Sequence, residues 1–208
     1  MDSAFLITAF VTLFVVIDPV GLTPLFIALT AGTDTAHRRS VALRSCTVAF
    51  ILLVLFAFLG ESVLGFIGIS MPAFRIAGGI LLFLTALDML FERRSKRRED
   101  QTETEDFPDP SVFPIAIPLI AGPGAIASII LLAGQAEGAV GMASVLAVMA
   151  GVLVIVLAFF LSAGLIERAL GKTGIIVVTR LLGMLLAALS VQFVLDGLRD
   201  FGFASGMG

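Results

Sequence analysis

Six apolar stretches, each long enough to cross the hydrocarbon core of a bilayer as a helix, follow one another along this chain. They cover residues 5–29, 45–66, 72–91, 112–134, 140–166 and 174–197. Hydrophobic residues make up 59% of the 208 positions and charged ones 14%, too lopsided a balance for a soluble core to hide. The pattern predicts an all-α integral membrane protein with six transmembrane helices, whose first partner is the lipid bilayer. No nucleic-acid partner is expected. The first residues, MDSAFLITAF, lack a basic start and a small-residue cleavage site, so the first span is expected to stay in the protein. The single cysteine, Cys46, falls inside a span and reads as a packing residue.

The cations fall on one side of this arrangement. Arg38, Arg39 and Arg44, then Arg93, Arg94, Lys96, Arg97 and Arg98, then Arg168 and Lys172 occupy alternate connections, whereas the other side keeps Arg199 and Arg75. Positive loops stay in the cytoplasm, so both termini are predicted outside.

The polar segment 92–111, ERRSKRREDQTETEDFPDPS, divides the chain near its midpoint. It reads as a solvated cytoplasmic linker whose basic end lies near anionic lipid. The segments on either side, 1–91 and 112–208, match each other. RIAGGILLFLT (75–85) and RLLGMLLAALS (180–190) share an Arg, a Gly, two leucines and a closing hydroxyl at equal offsets, pairing Gly78 with Gly183. IDPVGLTP likewise has a counterpart in IPLIAGPGAIAS (117–128). Three spans per half is an odd number, so the second half must lie upside down. The expected fold is a three-plus-three inverted repeat, as in many secondary transporters.

Spans one and four are broken by Pro and Gly at corresponding depths. Pro19 cannot donate to the carbonyl of Val15, nor Pro24 to Val20, nor Pro123 to Leu119. Backbone groups freed in hydrocarbon need protein or water partners, so an interrupted span is tolerated where it lines a polar hollow. A simple kink accounts for one such break, but two matched breaks mark a midplane binding site. Asp18 suits an N-cap ahead of a first-turn proline. A charge there costs at least ~2.5 kcal/mol on insertion scales unless it is paired, hydrated or protonated. It can anchor an ammonium or a cation, or accept a proton. The second break, Gly122-Pro123-Gly124, has no carboxylate. The amides of Gly124, Ala125 and Ile126 start a half-helix whose positive end attracts anions. The candidate substrate-binding residues are therefore Asp18, Pro19, Gly21, Thr23, Gly122, Pro123, Gly124, Ala125 and Ser128, a set suited to a small zwitterion. Thr23 and Ser128 offer hydroxyls, although helical hydroxyls commonly bond back to their own backbone. Arg75 and Arg180 are candidate charge partners for Asp18, or else reach the two membrane surfaces.

DPVGLTPLF, RIAGGILLF, PLIAGPGAI and RLLGMLLAALSVQFVLDG together resemble the MarC family of bacterial inner-membrane proteins over nearly the whole chain. The resemblance implies a six-span transporter-like fold in the bacterial inner membrane. It also implies a small-solute substrate: members similar to the small neutral amino acid transporters are associated with uptake of glycine, alanine and related solutes. No resident cofactor is expected, and H+ or Na+ is the candidate coupling ion. A homo-oligomer stays open.

An enzyme is not expected. No second acid accompanies Asp18 for aspartyl proteolysis, and the only histidine, His37, lies in the first basic loop. The rival readings are a cation or metal-ion transporter, which could use one carboxylate and unwound carbonyls, and a membrane scaffold without transport. No His or Cys cluster offers a soft-metal site.

Overall fold

In the computed structural model, residues 3–93 and 109–202 are described, and they are helical with short turns. The central part of the 92–111 linker lies outside the described residues. The helices are α1 (Ser3–Ile17), α2 (Pro19–Leu29), α3 (Thr35–Ile67), α4 (Met71–Leu90), α5 (Ser111–Ile120), α6 (Pro123–Gly134), α7 (Gly138–Leu161) and α8 (Ala163–Asp200). Helices α1 and α2 run on as one segment of 27 residues, whereas α5 and α6 are bent by 59° at their junction. Five segments are long and apolar enough to cross a bilayer, and the bent pair makes a sixth.

Local chemistry sets the ends of these elements. Asp34 caps α3 by accepting the His37 amide at 2.6 Å, and Gly68, at φ +85°, closes it in the left-handed conformation that glycine tolerates best. Ser70 caps α4, with Pro72 in its first turn. The expected start of the second span, residue 45, falls ten residues inside α3, which starts at Thr35. Helix propensity carries the turns through AHRRSVALR although that stretch is too polar for the membrane core. Helix α8 likewise starts well before residue 174 and is interrupted at Gly171, whose φ of 61° and ψ of 175° suit glycine alone. Helix α5 departs from helical geometry at Phe113 and Ile117, which hold extended backbone angles ahead of Pro114 and Pro118. A residue before proline is pushed out of the helical region by the proline ring.

The broken spans lie at the centre of the bundle. Some 56% of the most apolar window of α1–α2 is buried within the protein, against 22% for α3 and for α8. Helix α6 buries an unbroken run from Ala127 to Ala133. The outer helices turn Leu55, Phe58 and Phe66 of α3 and Leu181 and Leu185 of α8 outward, where lipid tails would cover them.

Polarity follows from side-chain pairs. Arg44 of α3 pairs with Asp109 just before α5, and Arg180 of α8 pairs with Glu92 just past α4. The starts of α3 and α5 and the end of α4 thus share one rim with the basic residues Arg38, Arg39 and Arg93. At the opposite rim Arg75 of α4 pairs with Asp200 of α8. A side chain added to Gly134, at the end of α6, would strike Met71 at the start of α4. Helix α6 therefore runs away from the basic rim, while α1–α2 runs toward it and ends just before α3.

Helices α4 and α8 lie antiparallel in the most extensive helix–helix contact of the molecule. A Cβ on Gly79 would sit 2.8 Å from the Ser190 carbonyl oxygen and 3.1 Å from the Val194 amide nitrogen. A Cβ on Gly183 would sit 3.2 Å from the Ala86 carbonyl oxygen and 3.4 Å from the Leu90 amide. Each glycine thus meets a carbonyl and, one turn further, an amide of the other helix, the close approach that small residues allow in membranes. The glycine reciprocal to Gly183 is Gly79, whereas the sequence match pairs it with Gly78. Gly78 faces Leu131 of α6 instead. Elsewhere α1 packs on α7 and α5 on α3; α2 packs on α7 and α8, and α6 on α3 and α4.

Candidate functional site

Asp18 breaks the first span. With Pro19 at the first position of α2, Asp18 leaves the helix in the left-handed conformation (φ 60°, ψ 68°), and its Oδ1 accepts the Gly21 amide at 3.0 Å. Non-glycine residues enter that region at a cost, and aspartate is among those that enter most readily. The carboxylate is 1% exposed, so a strained, ionisable residue sits in the protein interior at mid-span. Glycine at 21 leaves room for the carboxylate, since a Cβ there would overlap Asp18 Oδ2.

Pro19 and Thr23 are buried with Asp18. The Thr23 hydroxyl donates to the Pro19 carbonyl at 2.9 Å, so it serves the broken backbone first. The opposite break is built differently. Gly122 starts α6 with no side-chain cap, Pro123 follows, and the Ile126 amide returns to the Gly122 carbonyl at 3.0 Å. A Cβ on Gly122 would lie 2.5 Å from the Pro118 carbonyl oxygen, which fixes glycine at that corner. Gly124 faces α1 and α4: a Cβ there would lie 3.1 Å from Val16 Cγ1 and 3.7 Å from Thr85 Oγ1. Ala125 and Ser128 are buried one residue and one turn beyond.

The two interruptions therefore meet, with the start of α6 packed on the last turn of α1, two residues before Asp18. Of the sequence-derived residues, Asp18, Pro19, Gly21 and Thr23 sit together at the first break and Gly122, Gly124, Ala125 and Ser128 at the second, and the approach of Gly124 to Val16 joins the two. Pro123 points outward and is exposed. Arg75 and Arg180 belong elsewhere, because their pairs with Asp200 and Glu92 hold them at the ends of α4 and α8.

Sequence reasoning passed over Thr12, Val16 and Thr85. Thr12 is fully buried in α1, and its hydroxyl has no hydrogen-bond partner among the described residues. Its signal was a hydroxyl in a strongly apolar span, six residues before the aspartate. Thr85 donates to the Leu81 carbonyl at 2.9 Å and flanks Gly124.

A family model described as MarC family integral membrane protein matches residues 3–201. The chain belongs to the MarC family. Consistent with that, it is 38% identical to a UPF0056 membrane protein of Archaeoglobus fulgidus over 95% of its own length and 93% of the relative's. It is 34% identical to the UPF0056 membrane protein YvbG of Bacillus subtilis, covering 96% of each chain. It is also 33% identical to the UPF0056 inner membrane protein YhgN of Escherichia coli, over 93% of this chain and 96% of that one. No solved structure matches. This MarC-family chain is thus a multi-pass integral membrane protein, and its relatives occur in an archaeon as well as in bacteria.

Proposed function

We propose that this MarC-family protein is a secondary transporter of small neutral solutes, glycine- or alanine-sized amino acids first among them. The observation that carries the reading is the meeting of the two interrupted spans around a buried carboxylate. Asp18 supplies an anion for a substrate ammonium, and the uncapped amides of Gly124 and Ala125 supply a positive helix end for its carboxylate. Glycine at 122 and 124 lets a small ligand reach that backbone.

The reading includes an inverted repeat of residues 1–91 and 112–208. Exchanging α1–α4 with α5–α8 turns the α1–α7 contact into α5–α3, α2–α8 into α6–α4, and α2–α7 into α6–α3. The α3–α7 and α4–α8 contacts map onto themselves, and all of these contacts are present, whereas the α1–α6 and α1–α8 contacts have no counterpart of like extent between α5 and α2 or α4. The reciprocal Gly79 and Gly183 contacts between antiparallel helices obey the same exchange. Alternating access would then be a rocking of one half against the other about the shared site. With the basic rim in the cytoplasm, both termini lie outside.

Purified protein in liposomes would be offered glycine, alanine, larger neutral amino acids, sugars and monovalent cations. Accumulation of a small zwitterion is expected. Asp18→Asn removes the charge contact to the ammonium, a loss of at least about tenfold in uptake at subsaturating solute, with folded protein still in the membrane. Wild-type uptake by Asp18→Asn removes the carboxylate from the mechanism. Uptake of cations in place of amino acids replaces the solute.

A further inference from the structure

Several hydroxyls of this protein bond to their own backbone. Thr30, Thr47, Ser144 and Ser190, for example, donate to carbonyls one turn back at 2.7–2.8 Å. Among the described residues Thr12 and Ser128 do not, and neither do Ser111 of α5 and Thr179 of α8. Thr12 and Ser128 are both fully buried, and neither hydroxyl oxygen has a partner among the described residues, a condition that costs about 1–3 kcal/mol per group in an apolar interior.

Their placement joins them. Thr12 lies one turn before Val16 on the same face of α1, and Ser128 lies one turn after Gly124 on the same face of α6. Val16 packs on Gly124, and the two helices run in opposite directions, so one turn back on α1 and one turn forward on α6 reach the same level of the same seam. Two unsatisfied oxygens thus face one interface, on the side of the breaks away from the basic rim.

We propose that Thr12 Oγ1 and Ser128 Oγ bind a dehydrated Na+ ion, the coupling ion of the transporter described above. Neutral oxygens suit a hard cation. Val15, between Thr12 and Asp18, contributes a carbonyl that Pro19 leaves without an amide. Asp18 lies roughly 9 Å further along α1, close enough to balance one charge and too far to be a ligand. Among the described residues no three His, Cys, Asp or Glu side chains gather to hold a metal ion, so the seam has the charge for a monovalent ion and not for a divalent one. The site rests on the transporter reading for its role in coupling; its occupancy by Na+ does not.

The test is the thermal unfolding midpoint of the full chain in lipid nanodiscs, titrated with NaCl against KCl and choline chloride at constant ionic strength. The wild type is expected to gain stability with Na+ alone. Thr12→Val and Ser128→Ala each weaken the apparent Na+ affinity about tenfold or more, the double variant loses the response, and Thr12→Ser retains it. A flat wild-type titration, which a trapped water would give, an equal response to K+ or choline, or an undiminished response in the double variant overturns the site. Solute counterflow with equal Na+ on both sides tests transport separately. Counterflow with a flat Na+ titration sinks the ion site and leaves the transporter. A Na+ response without counterflow leaves the site and sinks the transporter.

Discussion

Replacing Gly79 by alanine places a methyl group where the Ser190 carbonyl oxygen is 2.8 Å away and Val194 Cγ2 is 2.7 Å away. Ordinary contact for a Cβ starts at 3.4 Å, so α4 and α8 must separate by about half an ångström along their principal seam. A backbone carbonyl in a helix cannot swing aside as a side-chain tip can. The expected cost is about 1–3 kcal/mol, typical of overpacking. Gly183→Ala meets the Ala86 carbonyl at 3.2 Å and Met89 Cβ at 2.9 Å, so its cost falls at the lower end of that range. Because both methyl groups wedge one interface, the first substitution opens space for the second. The double variant is therefore expected to lose less than the two single losses together, by about 0.5 kcal/mol or more. Reversible denaturation in mixed micelles, read as a double-mutant cycle, measures all three. Strict additivity would refute the coupling of these two contacts through one rigid seam, and a neutral Gly79→Ala would refute the close approach itself.

Three shorter expectations follow. Gly124→Ala is tolerated because the Val16 methyl, 3.1 Å from the new Cβ, can turn away, whereas Gly124→Val blocks uptake; equal uptake by the two variants in liposomes contradicts the close approach at this break. Gly171→Ala must hold a backbone conformation reserved for glycine (φ 61°, ψ 175°), which costs about 1–3 kcal/mol and lowers the unfolding temperature although the added methyl meets open space; an unchanged midpoint denies the strain. The Ser111 hydroxyl and amide, and then Arg44, hold the Asp109 carboxyl below its ordinary value of 3.8. A lowered folded-state pKa stabilises above the unfolded value and is lost as pH falls through the folded one, so Asp109→Asn should lower stability at neutral pH, by an amount that shrinks as the pH falls below about 3.8 and the wild-type carboxyl protonates, which flattens the acid limb.

The spans and their breaks were legible because both rest on composition and on proline's missing amide, which act locally. Residues 71–90 and 111–134 fall within a residue or so of the expected third and fourth spans. The Asp18 cap was legible for the same reason, since Asp-Pro ahead of a helix is a local pattern. The polar start of α3 was not, because the apolar run stops where the lipid stops and the helix does not. The extended residues of α5 were legible in principle, as Phe113-Pro114 and Ile117-Pro118 each place a constrained residue before proline, but hydropathy averages over them. The pairing of Gly79 with Gly183 was out of reach. Two adjacent glycines differ by a third of a turn on the helix, and a shared leucine pattern cannot say which of them faces the partner. Thr12 and Ser128 were equally hidden as a pair, since only the Val16–Gly124 contact shows that they occupy one seam.

The two corners of the bundle differ in what they own. Helix α2 arrives with an anion built into its chain at Asp18, while α6 opens on a bare glycine at position 122. An aspartate at both corners would repel a visitor's acid group, and a glycine at both would leave its amine unanswered. Under the proposed transporter reading, one of each would give the meeting point of the breaks a polarity of its own, and a guest with two opposite ends a single preferred way to sit.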